Sequence, residues 1–291
     1  MTRTRVTQLM LPALLWFSIS AFAAPEAPVD YSYVFKKLRA EKVSKKFIKE
    51  LQEKNNPEIQ GAVVRLNVLG FLKKADYSGH LTQKAIDQCR KFMIDNAVSL
   101  KAAQKKYKVP KEVVAALLWV ETRHGGNLGK FSTPAVFLNL AMADHPSVIR
   151  QTSEHMLEEV GEKDPKVREY KEKIIEVSQR KANWAVEQLV ALDKMRHKSG
   201  VDIFELSGSY AGAFGWPQFI PSSYLKWARK TSAARKAPDL FNADDAIPSV
   251  AFYLKSHGWK NRPALKRKAL YGYNKSTDYV ETILTLAERI K

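Results

Sequence analysis

One carboxylate on the apolar side of a helix is the most chemically suggestive feature of this 291-residue chain. Between Pro110 and Gly126, the residues Val114, Leu117 and Glu121 stand at i, i+3 and i+7, so Glu121 shares a face with apolar side chains. Pro110 suits the first turn of that helix and Glu112 complements its positive dipole end, while Gly125 and Gly126 are expected to stop it. Glu121 then falls in the last turn, where the negative dipole end and apolar neighbours both disfavour its charged form. A carboxyl group that keeps its proton near neutrality can protonate the leaving oxygen of a glycosidic bond. A structural ion pair with Arg123 or another basic residue accounts for the same residue equally well at this level.

A second constellation is the loop GSYAGAFGWPQFIPSSY, residues 208–224. Gly212 and Gly215 allow close backbone approach to a ligand, and Tyr210, Phe214, Trp216 and Phe219 offer flat faces suited to sugar rings. Ser209 and Gln218 add polar groups, and Pro221-Ser222-Ser223 reads as a helix start capped by a serine hydroxyl. The same composition also describes an ordinary structural corner. None of the six His residues forms a ligand pattern, so no metal and no cofactor are expected; His124 reads as a solvent-exposed helix end.

The elements that must position these groups are helical. Apolar residues at roughly helical spacing run through Phe35, Leu38, Val43, Phe47 and Leu51, and again from Thr82, a plausible N-cap, through Ile86, Phe92 and Met93 towards Leu100. The charged stretch 144–177, divided by Gly161 and Asp164-Pro165, reads as two polar helices and an excursion from the core. Residues 183–195 return to a buried pattern, and further helices are expected at 246–256 and from Ser276 to the end. Long alternating runs and internal repeats are missing, so the chain reads as mainly α with few or no strands.

Arg3 and Arg5, an apolar stretch from Leu9 to Ile19, and Ala21-Phe22-Ala23 have the layout of a signal peptide over residues 1–23. Export to the periplasm and no membrane-spanning segment after cleavage are expected. The formal net charge of +18 suits an anionic partner, and export makes nucleic acid the poorest candidate. Cys89 is the only cysteine, which excludes an internal disulfide, and its helical context places it in the core.

Four strings, VPKEVVAALLWVETRHGGNLGKF, SYAGAFGWPQFIPSSYLKWA, ADDAIPSVAFYLKSHGW and YGYNKSTDY, occur in the order that resembles the membrane-bound lytic murein transglycosylase B family. That resemblance implies a lysozyme-like catalytic domain over residues 82–291, with a helical segment at 24–81 packed on it and a charged insertion at about 144–177. It implies peptidoglycan glycan strands as partner, with cleavage between N-acetylmuramic acid and N-acetylglucosamine and formation of a 1,6-anhydro ring. The single catalytic glutamic acid matches Glu121. Ser209 and Gln218 match cleft-lining residues, and Tyr273, Asn274 and Tyr279 match a segment that contacts sugar or orients the catalytic group. Arg180 and Lys181 stand where the family tends to carry two arginines; the Lys departs from the pattern and weakens bidentate recognition there. Asp202, Glu205, Asp244 and Asp245 remain as second carboxylates for ordinary hydrolysis. Some members carry a calcium loop between the positions of Trp227 and Phe241; here the segment reads ARKTSAARKAPDL, whose basic residues would repel a cation, so no calcium is expected.

Overall fold

A computed structural model describes residues 30–73 and 75–291, so the expected signal peptide lies outside the described residues. The chain enters through α1 (Ser32–Ala40), α2 (Lys45–Glu53) and α3 (Gln60–Val68). Phe35, Leu38, Val43, Phe47 and Leu51 are all buried, as their spacing predicts. Thr82 caps α4 (Gln83–Asp95) by accepting from the Ala85 amide at 3.3 Å. The predicted helix towards Leu100 breaks at Asn96, whose side-chain amide donates to Phe92 O at 3.0 Å and closes α4 before α5 (Ala97–Tyr107) begins.

At the centre lies α6 (Lys111–Thr122), with every residue from Val113 to Trp119 buried. A two-stranded antiparallel pair follows, β1 (Phe131–Ser132) against β2 (Ser207–Gly208), with Phe131 opposite Gly208. Between its strands the chain makes α7 (Thr133–Leu140), α8 (Pro146–Val160) and α9 (Val167–Ser199). Every residue of α7 is buried, so it has no polar face and left no period to read. The charged stretch forms two helices, as expected, and the second of them runs on without a break into the buried stretch to make the single long helix α9. Its first turns are polar because only Ile174, Val177 and Ser178 are buried there, whereas Ala182, Ala185, Leu189, Leu192 and Met195 line the core further along.

The C-terminal part comprises α10 (Pro221–Trp227), α11 (Ala243–Ser256), α12 (Pro263–Tyr273) and α13 (Thr277–Arg289). Helices α4, α5, α11 and α13 pack around α6, while α7 and α10 pack on α9. Ser276 caps α13 by accepting from the Tyr279 amide at 3.2 Å, which fixes where Tyr279 enters the core. The fold class read from the sequence, mainly α with few strands, is the one observed. No helix among the described residues is long and apolar enough to cross a membrane.

Candidate active site

Glu121 sits in the last turn of α6, half-buried, with Tyr279 of α13 donating its hydroxyl to Oε1 at 2.5 Å. Burial pushes the Glu121 carboxyl up to about 7, and the hydrogen bond from Tyr279 opposes that rise. The Tyr279 phenol is in turn held well above its ordinary value by burial and by the neighbouring Glu121 charge, so it remains a donor. Tyr273 stacks near Tyr279 with ring centroids 6.5 Å apart, but its own hydroxyl donates to Pro217 O at 2.5 Å. Tyr77, which sequence reasoning did not single out, meets the edge of Tyr279 at 6.0 Å. Burial raises its phenol, and hydrogen bonds to Ser276 and Asn274 oppose the rise. Asn274 is exposed at the C-cap of α12, so it stands at the open side of this tyrosine cluster.

The helix end that presents Glu121 is built differently from the expectation. Arg123 and His124, with φ of 52° and 55°, turn the chain, and the His124 amide donates back to Leu118 O at 3.2 Å. Gly125 serves another purpose: a Cβ there would meet the Trp216 indole at 2.4 Å. Thr122 completes the join by donating its hydroxyl to Trp216 O at 2.9 Å. His124 is not a solvent-exposed end. It stacks on Phe92 at 3.9 Å and contacts Ala115 O through Nε2 at 2.9 Å, and burial pushes its imidazole down to about 4. A neutral ring packed this way stiffens the turn after Glu121.

The loop 208–221 closes on this helix end. Ser209 Oγ accepts from the Ala213 amide at 3.3 Å, and Gln218, at a φ of 50°, donates its side-chain amide to Gly215 O at 3.0 Å and Leu128 O at 3.4 Å. Phe214 and Phe219 are 1% and 2% exposed, so they belong to the core and offer no sugar platform; Tyr210 does remain open. Gly212 and Gly215 approach the protein itself rather than a ligand, since a Cβ would meet the Phe137 ring at 2.5 Å and Leu240 Cβ at 2.6 Å respectively. Gly215→Ala, at a φ of +71° and against Leu240 backbone, is expected to lower the melting temperature by roughly 5 °C or more. A thermal melt checks this, and an unchanged Tm would show that the loop tolerates displacement. The predicted serine cap of α10 is absent: the Gln188 side chain of α9 accepts from the Ser222 amide at 3.0 Å instead.

On α9, Lys181 and Arg180 separate. Lys181 lies 4.9 Å over the Trp184 ring and donates to Asn67 Oδ1 at 3.4 Å, and Asn67 donates on to Tyr210 O at 3.0 Å. Burial and then the nearby Arg180 charge depress the Lys181 amine. Arg180 is exposed and lies 3.8 Å from Glu176.

The four candidate second carboxylates are committed elsewhere or open to solvent. Asp202 caps a short 3-10 turn through the Phe204 amide, Asp244 accepts from Ser99, and Glu205 is exposed. Asp245 is fully buried among donors of its own loop. The rise at Glu121 comes from burial.

A helical fold with one half-buried glutamic acid at the end of its central helix, roofed by tyrosines, is of the lysozyme-like lytic transglycosylase kind. The family model described as Transglycosylase SLT domain matches residues 36–270, and the chain belongs to that family. It is 29% identical over 161 residues to the membrane-bound lytic murein transglycosylase B of Escherichia coli (strain K12), a match that takes in 55% of this chain and 35% of that protein. The chain thus matches about a third of the length of that curated relative. Among solved structures it resembles the soluble lytic transglycosylase SltB1 from Pseudomonas aeruginosa, with a TM-score of 0.65 and 19% identity, covering 89% of this chain and 97% of that one. It also resembles SltB3 from Pseudomonas aeruginosa in complex with NAG-anhNAM-pentapeptide, with a TM-score of 0.64 and 17% identity, covering 89% and 78%.

Proposed function

We propose that this protein is an exported lytic transglycosylase that acts in the periplasm on the β-1,4 bond between N-acetylmuramic acid and N-acetylglucosamine. The observation that carries the reading is the lone, half-buried Glu121, raised to about 7 and oriented by the Tyr279 hydroxyl. Glu121 donates its proton to the leaving glycosidic oxygen as the C1–O bond breaks, and the muramic acetamido group assists departure in place of a protein nucleophile. The Glu121 carboxylate then takes the proton of the C6 hydroxyl as that oxygen attacks C1. The anhydro ring closes, no water is consumed, and the enzyme regains its proton.

In this reading Ser209, Gln218, Tyr273 and Asn274 contact the glycan near Glu121, and Arg180 and Lys181 of α9 contact it further along. A basic surface draws in a glycan whose stem peptides bear carboxylates. The reading calls for no calcium. In the loop after α10 the Asp239 and Asp245 oxygens already accept from N–H and O–H groups, a donor set that does not fit an ion needing six to eight oxygens.

The test is mass spectrometry of the soluble products from peptidoglycan sacculi digested by residues 24–291. Anhydro-muropeptides, one water lighter than hydrolytic fragments, are expected. Reducing-end products would make it a muramidase, and no products at all would leave a binding or scaffolding protein.

A further inference from the structure

The loop between α10 and α11 is organised around a buried charge. Asp245, in the first turn of α11, is 0% exposed. Its Oδ1 accepts from the Thr231 amide at 2.8 Å, the Thr231 hydroxyl at 2.9 Å and Arg235 Nη2 at 2.8 Å, and its Oδ2 accepts from the Asp239 amide at 2.8 Å. Three positions across residues 231–239 are thereby tied to one carboxylate. Arg235 is the one cation paired with it among the described residues, and a carboxylate with no exposure requires such a partner.

What this loop touches gives the arrangement a consequence at the active site. Leu240 O accepts from the Trp216 amide at 2.8 Å, and Phe241 stacks on Phe214 with centroids 6.3 Å apart. Tyr224 donates its hydroxyl to Pro238 O at 2.8 Å, fastening the loop to α10. Trp216 in turn accepts from Thr122, the residue after Glu121, and its indole packs against Gly125. A connected path of hydrogen bonds and close contacts therefore runs from Arg235 through Asp245 and residues 239–241 to Trp216 and the end of α6.

We infer that Arg235 is a positioning residue, an internal cation that neutralises Asp245, fixes residues 231–241 and through them seats Trp216 against the helix end bearing Glu121. Arg235 Nη2 donates to both Asp245 Oδ1 and, at 3.3 Å, Thr231 Oγ1, so one guanidinium nitrogen fills this role without any bound ion; the compact, strongly hydrated ammonium of lysine satisfies it in part. The inference does not depend on the reaction proposed for Glu121, because its readout is the environment of Trp216.

The chain has six tryptophans, so the Trp216 signal is taken as the difference in emission between each protein and the same protein carrying Trp216→Phe. In Arg235→Gln at 25 °C, with the far-ultraviolet circular dichroism unchanged, acrylamide quenching of Trp216 is expected to rise about twofold. Arg235→Lys is expected to restore roughly half of that change. The Tm of Arg235→Gln should fall by about 5–10 °C, and the Tm of the unsubstituted chain should be the same in excess calcium chloride and in chelator. Unchanged Trp216 quenching in Arg235→Gln would overturn the positioning role, and a calcium-dependent Tm in the unsubstituted chain would overturn the claim that Arg235 is the cation. If Arg235→Gln does not fold, Arg235→Lys carries the same quenching test.

Discussion

Glu121→Gln is expected to lower kcat on peptidoglycan by at least about 10³-fold while leaving glycan binding within a few-fold of the original. Gln keeps the shape and can still accept from the Tyr279 hydroxyl, but it has no proton to give to the leaving oxygen. The unsubstituted enzyme should lose activity as pH rises through about 7, because the carboxyl must be protonated at the start of the reaction. The same variant should be more stable than the unsubstituted chain at pH 8. The sign follows from linkage. A carboxyl whose folded value lies near 7 and whose unfolded value lies near 4.5 binds its proton more tightly when folded. Its contribution to stability is complete below about 4.5 and is lost as pH rises through about 7. At pH 8 the folded state therefore carries an unfavourable buried charge that Gln removes, a gain on the order of 2 kcal/mol, or several degrees in Tm. At pH 4 the two proteins should melt together. Thermal melts at the two pH values, run beside the kinetic assay, check both halves. A Gln variant that is less stable at pH 8 would mean that Glu121 is held by a charge partner, which is the ion-pair alternative.

How much of this could be read from the chain depends on whether a residue's neighbours are local. The Glu121 position follows from i, i+3 and i+7 spacing within one helix, and the raised carboxyl follows from that spacing together with the helix end. Thr82 was legible as a cap, and Ser276 as a helix start, because a helix N-terminus is set by the next three residues. Tyr77 was not legible. It lies in a segment far from Glu121 in sequence, and only the packing of that segment on α13 brings its ring to Tyr279. The same holds for Gln188, which caps α10 from a different helix, and for Phe214 and Phe219, whose burial depends on what Tyr224, Phe241 and Tyr253 place against them. Gly212 and Gly215 were read correctly as points of close approach and wrongly as facing a ligand, because sequence gives the demand for space and not the side from which it comes. The helix stop at Arg123 and His124 was missed for another reason. Left-handed backbone at two non-glycine residues is uncommon, and here tertiary packing of the His124 ring on Phe92 compensates for it.

Tyr279→Phe separates orientation from simple packing. The phenol is 1% exposed and donates to Glu121 Oε1, so removing its oxygen changes little volume and takes away one hydrogen bond to the acid. That bond favours the charged carboxylate and opposes the effect of burial. Without it the Glu121 carboxyl should rise further, moving the alkaline limb of the kcat profile up by on the order of one pH unit. The rate at the optimum should nevertheless fall by about 10- to 100-fold, since the bond to the developing carboxylate is charge-assisted and worth roughly 1.5–3 kcal/mol. The two effects have opposite signs, so above the new limb the variant recovers part of its deficit. Tyr273→Phe is the control. Its hydroxyl is committed to Pro217 O, so the same deletion there should lower Tm by a few degrees and leave the limb in place. If Tyr279→Phe loses activity with no movement of the limb, Tyr279 acts only as a wall of the site; if both variants move the limb together, the tyrosine pair acts as one unit on the titration of Glu121.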